Sequence, residues 1–139
     1  MTPDFEKIIN RITEIVQWYG KNNNPTPDTL MDAYKKITGY LWYFAEHVAS
    51  TKGEYNQAYF MRKIETIREK DRLVKMKMAV NKADIEAMLS TEDQFMIEIE
   101  AETIAYKADL LLKQGNKVAD CMRTHISLLK TEKDQTENR

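Results

Sequence analysis

The sequence contains few of the residues that interrupt helices. Its 139 residues include only four glycines and three prolines, whereas Ala, Leu, Ile, Met, Glu and Lys are plentiful. Because all-β and disordered chains are usually richer in glycine and proline, this composition argues against both classes and favours helices. A chain of this length, 42% hydrophobic, is long enough for one modest core. We therefore predict a single all-α domain, built as a helical bundle.

Cysteine and long apolar runs are also scarce. The single Cys121 excludes an internal disulfide, so a reducing compartment is favoured over a secreted disulfide framework. The longest apolar run, GYLWYFA at 39–45, is far shorter than the roughly 18 to 20 residues of a membrane span. The first residues, MTPDFEKIIN, carry early acids and lack the apolar stretch of a secretory signal. We expect a cytoplasmic protein with no membrane partner.

Residues typical of catalytic or metal sites are rare as well. Only two histidines occur. His125 lies on a predicted helix seam, where a hydrogen-bonded interior role is expected, and His47 directly follows Glu46, so these two side chains point to different helix faces. No Glu-x-x-His, His-Glu-x-x-His, P-loop or dinucleotide motif is present. Cys121 has no obvious base and is expected to be buried. We predict no enzyme activity, no cofactor and no metal.

Hydrophobic spacing predicts where the first helix lies. Apolar residues recur at three- and four-residue steps, the period of one helix face: Phe5, Ile8, Ile9, Ile12, Ile15, Val16 and Tyr19. Thr2 and Pro3 suit an N-cap and first turn, and Gly20 a C-terminal stop, so the helix is predicted over about 3–19. The following segment GKNNNPTP, 20–27, predicts a linker because of its glycine, asparagines and prolines.

The rest of the chain is predicted as a helical core over 28–131 and a polar, frayed tail over 132–139. A regular stripe opens the core: Leu30, Tyr34, Ile37, Leu41, Phe44 and Val48. Trp42 and Tyr43 lie off this stripe, so their exposure would provide a second packing surface. Gly53 suggests a bend, after which the pattern resumes: Tyr55, Phe60, Ile64, Ile67, Val74 and Met78.

A short connecting helix is predicted over 81–89, and Ser90 with Asp93 resembles a capping box before the last helix. That helix, about 92–131, shows an unbroken alternation of four- and three-residue steps, which is coiled-coil spacing. The small residues Ala101, Ala108 and Gly115 recur every seven residues and would permit close helix approach. We predict that this seam forms an oligomer interface made of Ile97, Ala101, Ile104, Ala108, Leu111, Gly115, Val118 and Met122.

Charge is segregated although the formal net charge is only -1. Residues 62–83 contain eight basic residues and three acidic ones, a balance of +5. Residues 84–102 contain seven acidic residues and no basic one, a balance of -7. Two interpretations remain open. In the first, bases that flank a seam on one helix pair with acids that flank a seam on the last helix, such as Asp93, Glu98 and Glu100, as surface salt bridges.

In the second interpretation the bases line a groove for the phosphates of single-stranded DNA, with aromatic rings nearby for base stacking. The candidate DNA-binding residues are Arg62, Lys63, Arg68, Lys70, Arg72, Lys75, Lys77, Tyr55 and Tyr59. A ring-shaped homo-oligomer would repeat the basic patch around an axis. The two interpretations can coexist if the flanking bases are paired while the outward Arg62 and Arg72 are free.

The order of these segments resembles that of a known protein family. A helix containing GYLWYFAEH leads into the basic helix, then ADIEAMLSTEDQ, then a long helix with AYKADLLLKQGNKVADCMRTHISLLK. This arrangement, over about 34–131, resembles the UvsY-type recombination mediators of T-even and related bacteriophages. The likeness includes Leu89-Ser90, Tyr106 before Leu111-Leu112, and Arg123 with Ile126. The basic run typical of that family is replaced here by IREKD, in which the acids Glu69 and Asp71 are interspersed.

The resemblance implies a function. It implies a non-enzymatic ring that binds single-stranded DNA, helps displace the single-strand-binding protein and loads a RecA-like recombinase, in a host-cell cytoplasm if a phage encodes it. Carried over by position, the DNA contacts fall at Arg68 with Arg62, Lys63 and Lys70. The alternative is a helical scaffold or adaptor that assembles through coiled-coil contacts and has no nucleic-acid role.

Overall fold

The computed structural model describes residues 3–137, which form four α-helices. They are α1 (Pro3–Lys21), α2 (Pro27–Lys75), α3 (Val80–Ser90) and α4 (Glu92–Glu137). No strand occurs within this described range. The prediction of an all-α fold with a long C-terminal helix is therefore confirmed. Thr2, the predicted N-cap of the first helix, lies outside the described residues.

The linker before α2 is shorter than predicted, because α1 continues to Lys21. Thr26 then begins α2 by capping it: its side-chain oxygen accepts a hydrogen bond from the Thr29 N–H at 3.3 Å. Pro27 follows at the first helical position, where its missing N–H costs nothing because that group has no partner within the helix. The sequence Thr-Pro thus fixes the point at which α2 starts.

Three local predictions are wrong. α2 is uninterrupted at Gly53, because a single glycine costs a helix interior only about 1 kcal/mol, which the surrounding helix outweighs. Ser90 is the last residue of α3 and its hydroxyl donates to the Ala87 carbonyl at 3.0 Å, so it does not cap α4. Only Thr91 separates the two helices. α4 also extends beyond the predicted end at 131, to Glu137.

The chain divides into two compact units that share α2 and α4. The first unit comprises Met1–Val48 and Ala108–Arg139, and the second comprises Ala49–Lys107. In the first unit, α1 and parts of α2 and α4 enclose one apolar cluster. Its buried members are Ile12, Leu30, Ala33, Ile37, Leu41, Phe44, Val48, Ala108, Ala119 and Met122. The stripe predicted to open the core is thus confirmed, and Trp42 and Tyr43, which lie off this stripe, are exposed.

The second unit has a much thinner interior. Its buried apolar side chains are mostly alanines: Leu73, Ala83, Ala87 and Ala105. Polar side chains share this interior, since the Thr66 and Thr91 hydroxyls lie 2.9 Å apart and Thr91 is 6% exposed. Four residues of the pattern predicted after Gly53 instead point outward, namely Phe60, Ile64, Ile67 and Val74, with Phe60 60% and Ile67 66% exposed. The second unit therefore packs its helices through small and polar residues.

Candidate nucleic-acid interface

The basic residues predicted to bind DNA lie on the second half of α2 and in the turn that follows it. Five of the seven predicted cations form ion pairs with carboxylates of this chain: Arg62, Arg68, Lys70, Arg72 and Lys75. These pairs fall into two groups that differ in burial and in which helices they join. The difference decides which cations remain accessible to a ligand.

Arg62 belongs to the interior of the second unit. Its guanidinium forms an ion pair with Glu98 of α4, whose side chain is 7% exposed, and a second hydrogen bond of 3.4 Å joins Nη2 to Oε1. The guanidinium also lies 5.4 Å from the Tyr59 ring centroid and 5.5 Å from that of Phe95. The hydrogen bond to Glu98 raises the pKa of Arg62. Arg62 is thus positioned to neutralise a buried carboxylate.

A second pair joins two helices of the same unit. Lys70 of α2 and Asp84 of α3 approach to 2.7 Å, and both side chains are roughly half exposed. This is the kind of contact expected if bases on α2 serve the protein's own acidic side chains. It holds α3 against α2 beside the buried Ala83 and Ala87.

The remaining pairs are local and exposed. Arg68 pairs with Glu65 at 3.3 Å, Arg72 with Glu69 and Lys75 with Asp71 at 2.8 Å, each within one turn of α2. Hydrogen bonding to Arg72 lowers the pKa of Glu69. Because the Arg68 and Lys75 side chains are 73% and 76% exposed, such pairs contribute only about 0 to 1 kcal/mol. These cations can exchange a carboxylate for another anion at little cost.

Lys63 and Lys77 make no ion pair with any residue in the described part of the chain. Lys63 places its ammonium 4.6 Å from the Tyr59 ring centroid. Lys77 is exposed in the turn after α2, where its backbone adopts a left-handed conformation with φ of 67°. Together with Arg68, Arg72 and Lys75, these lysines form what we call the basic surface of α2.

The two predicted stacking tyrosines both contact their own chain. Tyr59 is half-buried, carries the Lys63 ammonium on its ring and meets the Phe60 ring edge-on at 5.7 Å between centroids. Tyr55 is also half-buried, and burial together with the Glu102 and Glu98 charges raises the pKa of its hydroxyl. The structure thus places Tyr59 among the cations and Tyr55 beside acids.

Most acids of residues 84–102, the acidic segment, form no ion pair with a described residue. Asp84 and Glu98 are paired as described above, but the other five acids make no ion pair with residues 3–137: Glu86, Glu92, Asp93, Glu100 and Glu102. All five are exposed. The acidic segment therefore remains a negative surface within the same unit that carries the basic surface of α2.

The predicted oligomer residues occupy two different environments. Ala108, Gly115 and Met122 are buried within the first unit, and a Cβ added to Gly115 would overlap the Leu41 side chain. Ala101, Leu111 and Val118 are half-buried. In contrast, Ile97 and Ile104 are 59% and 42% exposed. The sequence pattern did not separate these sets, because the small residues lie between two parallel stripes of α4.

No group of three or more His, Cys, Asp or Glu residues that could hold a metal ion occurs within residues 3–137. Cys121 is exposed, contrary to the expectation of a buried thiol. His125 lies half-buried with Nδ1 3.5 Å from the Tyr19 hydroxyl. Within the described part of the chain, every helix is too short or too polar to cross a bilayer.

Comparisons with protein-family models, curated proteins and solved structures found no match to this chain.

Proposed function

We propose that this protein is a non-enzymatic, self-associating recombination mediator that binds single-stranded DNA and assists a RecA-like recombinase in replacing the single-strand-binding protein. The observation that supports DNA binding is the basic surface of α2: five exposed cations, of which two make no ion pair with a described residue and three make only local ones. The order of segments that resembles the UvsY-type mediators supports the more specific role.

The phosphate contacts fall on the basic surface and not on Arg62. A phosphate that approaches Arg72 displaces the Glu69 carboxylate from an exposed pair worth about 0 to 1 kcal/mol, and also releases counterions from the DNA. Removing Arg62 from Glu98 would instead leave a buried carboxylate unpaired. The proposal therefore separates accessible cations from one that stabilises the unit.

The alternative, a helical scaffold without a nucleic-acid role, is supported by the pairs that join helices. Arg62 with Glu98 and Lys70 with Asp84 show that part of the basic segment serves internal structure. If the exposed cations serve only assembly as well, the protein will bind no DNA at low salt.

The test is the affinity for a fluorescent single-stranded oligonucleotide, measured by anisotropy across a range of salt concentrations. We expect binding that weakens steeply with salt. In the variant Arg72→Gln/Lys77→Gln, the slope of log K against log salt should fall by about 1.4, at about 0.7 per lost phosphate contact on a single strand.

The matched control removes two positive charges from the first unit, in Lys7→Gln/Lys117→Gln. This control should keep the wild-type slope, because its lysines lie outside the basic surface. Equal losses in both variants would mean that net charge alone governs binding, and absence of binding by the wild type at low salt would refute the proposed DNA-binding role.

A further inference from the structure

Most of the exposed large apolar side chains of the described residues lie in the second unit. They include side chains on all three of its helices, for example Ile67 at 66%, Met88 at 68% and Ile97 at 59% exposure. Large contiguous apolar surfaces on soluble proteins mark interaction sites. The interior of this unit consists mainly of alanines and polar residues, so its large apolar side chains lie mostly on the surface.

On α2, four of the exposed apolar residues form a stripe. Phe60, Ile67 and Val74 recur every seven residues with Ile64 between the first two, which is the spacing of a coiled-coil seam. Asp71 interrupts the stripe but is paired with Lys75. The flanking positions on both sides carry cations: Lys63 and Lys70 on one side, Arg68 and Lys75 on the other. We call this the α2 face.

On α4 a second exposed stripe has the opposite charge. Ile97 and Ile104 are also seven residues apart, and the positions that alternate with them are Asp93 and Glu100. Neither of these acids pairs with a cation among residues 3–137, and both are exposed. We call Asp93, Ile97, Glu100 and Ile104 the α4 face.

We propose that the α2 face of one copy of this chain packs against the α4 face of a second copy. The seven-residue repeats on both faces match, so apolar side chains interdigitate, while the cations beside the α2 stripe meet the unpaired acids of the α4 stripe. Pairing two α2 faces would bring like charges together, and so would pairing two α4 faces. The contact joins unlike faces, and we propose that it repeats head-to-tail from copy to copy, which generates a closed ring or a filament.

This interface differs from the one that the heptad pattern predicted, because Ala108, Gly115 and Met122 already serve the core of the first unit. It does not depend on DNA binding. Lys63, Arg68 and Lys75 border the α2 face, whereas Arg72 and Lys77 do not, so the latter remain accessible to phosphates in the assembly.

The test uses two variants that each damage one face. Ile64→Ser/Ile67→Ser alters the α2 face and Ile97→Ser/Ile104→Ser alters the α4 face; all four side chains are exposed, so neither variant removes a core residue. In sedimentation velocity without DNA, the wild type should form an assembly larger than a dimer and each variant alone should be monomeric. A mixture of the two variants should form a dimer, because one intact face of each kind is present.

A monomeric wild type overturns the inference, as does a mixture that stays monomeric or a single variant that still self-associates. Circular dichroism checks that each variant remains helical. If a serine variant does not fold, charge reversal provides the second measurement: Asp93→Lys/Glu100→Lys alone and Lys63→Glu/Arg68→Glu alone should dissociate the assembly, and their mixture should restore association. Failure of that mixture to associate also overturns the inference. Assembly without DNA binding would instead refute only the proposed function.

Discussion

At the scale of single residues, Arg62 and Glu98 explain why charge counting in the sequence has limits. Both belong to charge blocks that look solvent-exposed in the sequence, yet Glu98 is 5% exposed and Arg62 neutralises it from the neighbouring helix. A buried carboxylate is costly unless it is paired and hydrogen-bonded. Arg62 therefore has a stabilising role that its neighbours Lys63 and Arg68 lack.

The first prediction concerns this pair. Arg62→Met leaves the Glu98 carboxylate buried without its cation, so the free energy of unfolding should fall by about 3 kcal/mol. Adding Glu98→Leu should restore stability to within about 1 kcal/mol of the wild type, because no charge is then buried. Urea unfolding at one fixed protein concentration measures both effects. The control Arg123→Met, which breaks only the exposed pair with Asp120, should change stability by less than about 1 kcal/mol; a loss as large as that of Arg62→Met would contradict the account.

The second prediction compares two glycines of the first unit. Gly115→Ala should destabilise the protein, because its new Cβ overlaps the buried Leu41 side chain and overpacking costs about 1 to 3 kcal/mol. Gly39→Ala should stabilise it by about 0.5 to 1 kcal/mol, since nothing lies within 4 Å of the added Cβ and alanine favours the helix. Thermal unfolding measures both. If Gly115→Ala proves as stabilising as Gly39→Ala, the close approach of α2 and α4 at this point is wrong.

At the scale of elements, the sequence predicted the positions of the helices well, but it predicted less well which side of α4 is buried. The four- and three-residue alternation correctly indicated a long helix, because it is the period of a packed helix face. In α4, however, two stripes share the small residues Ala101, Ala108 and Gly115. The residues that complete the buried stripe lie one position after the predicted ones, at Ala105 and Ala119. Periodicity alone cannot choose between adjacent stripes when both are apolar.

The second half of α2 shows a different limit. Its inward-facing residues are polar or small, among them Thr66 and Arg62, while its outward stripe is apolar. A hydrophobic pattern identifies the most apolar face, and here that face is exposed in a single chain. The sequence predicted a basic helix as the candidate site. It could not predict which cations form ion pairs with Glu98 and Asp84, because these two acids lie on other helices.

A third prediction tests how α2 begins. Thr26→Ala removes the side-chain oxygen that accepts the Thr29 N–H, so stability should fall by about 1 kcal/mol. Thr26→Ser keeps an acceptor at that position and should stay near the wild type. Thermal unfolding of the two variants side by side gives the comparison. Equal stabilities for Ala and Ser would show that the cap contributes nothing to the start of this helix.

At the scale of the whole molecule, a formal net charge of -1 conceals opposite surfaces. The basic surface of α2 and the unpaired acids of α3 and α4 lie in the same unit, alongside most of its exposed apolar side chains. These surfaces suit the proposed head-to-tail contact between copies. Arg72 and Lys77 lie outside that contact and stay available to bind a polyanion. The proposed mediator function requires both properties in one assembly.

The most direct measurement is sedimentation velocity of the wild-type protein with a dye-labelled single-stranded oligonucleotide, followed at the dye's absorbance at low and moderate salt. The account predicts that at low salt the oligonucleotide sediments with an assembly of several chains, and that at moderate salt it is released while the assembly persists. An oligonucleotide that sediments alone at low salt, beside a monomeric protein, would contradict the account.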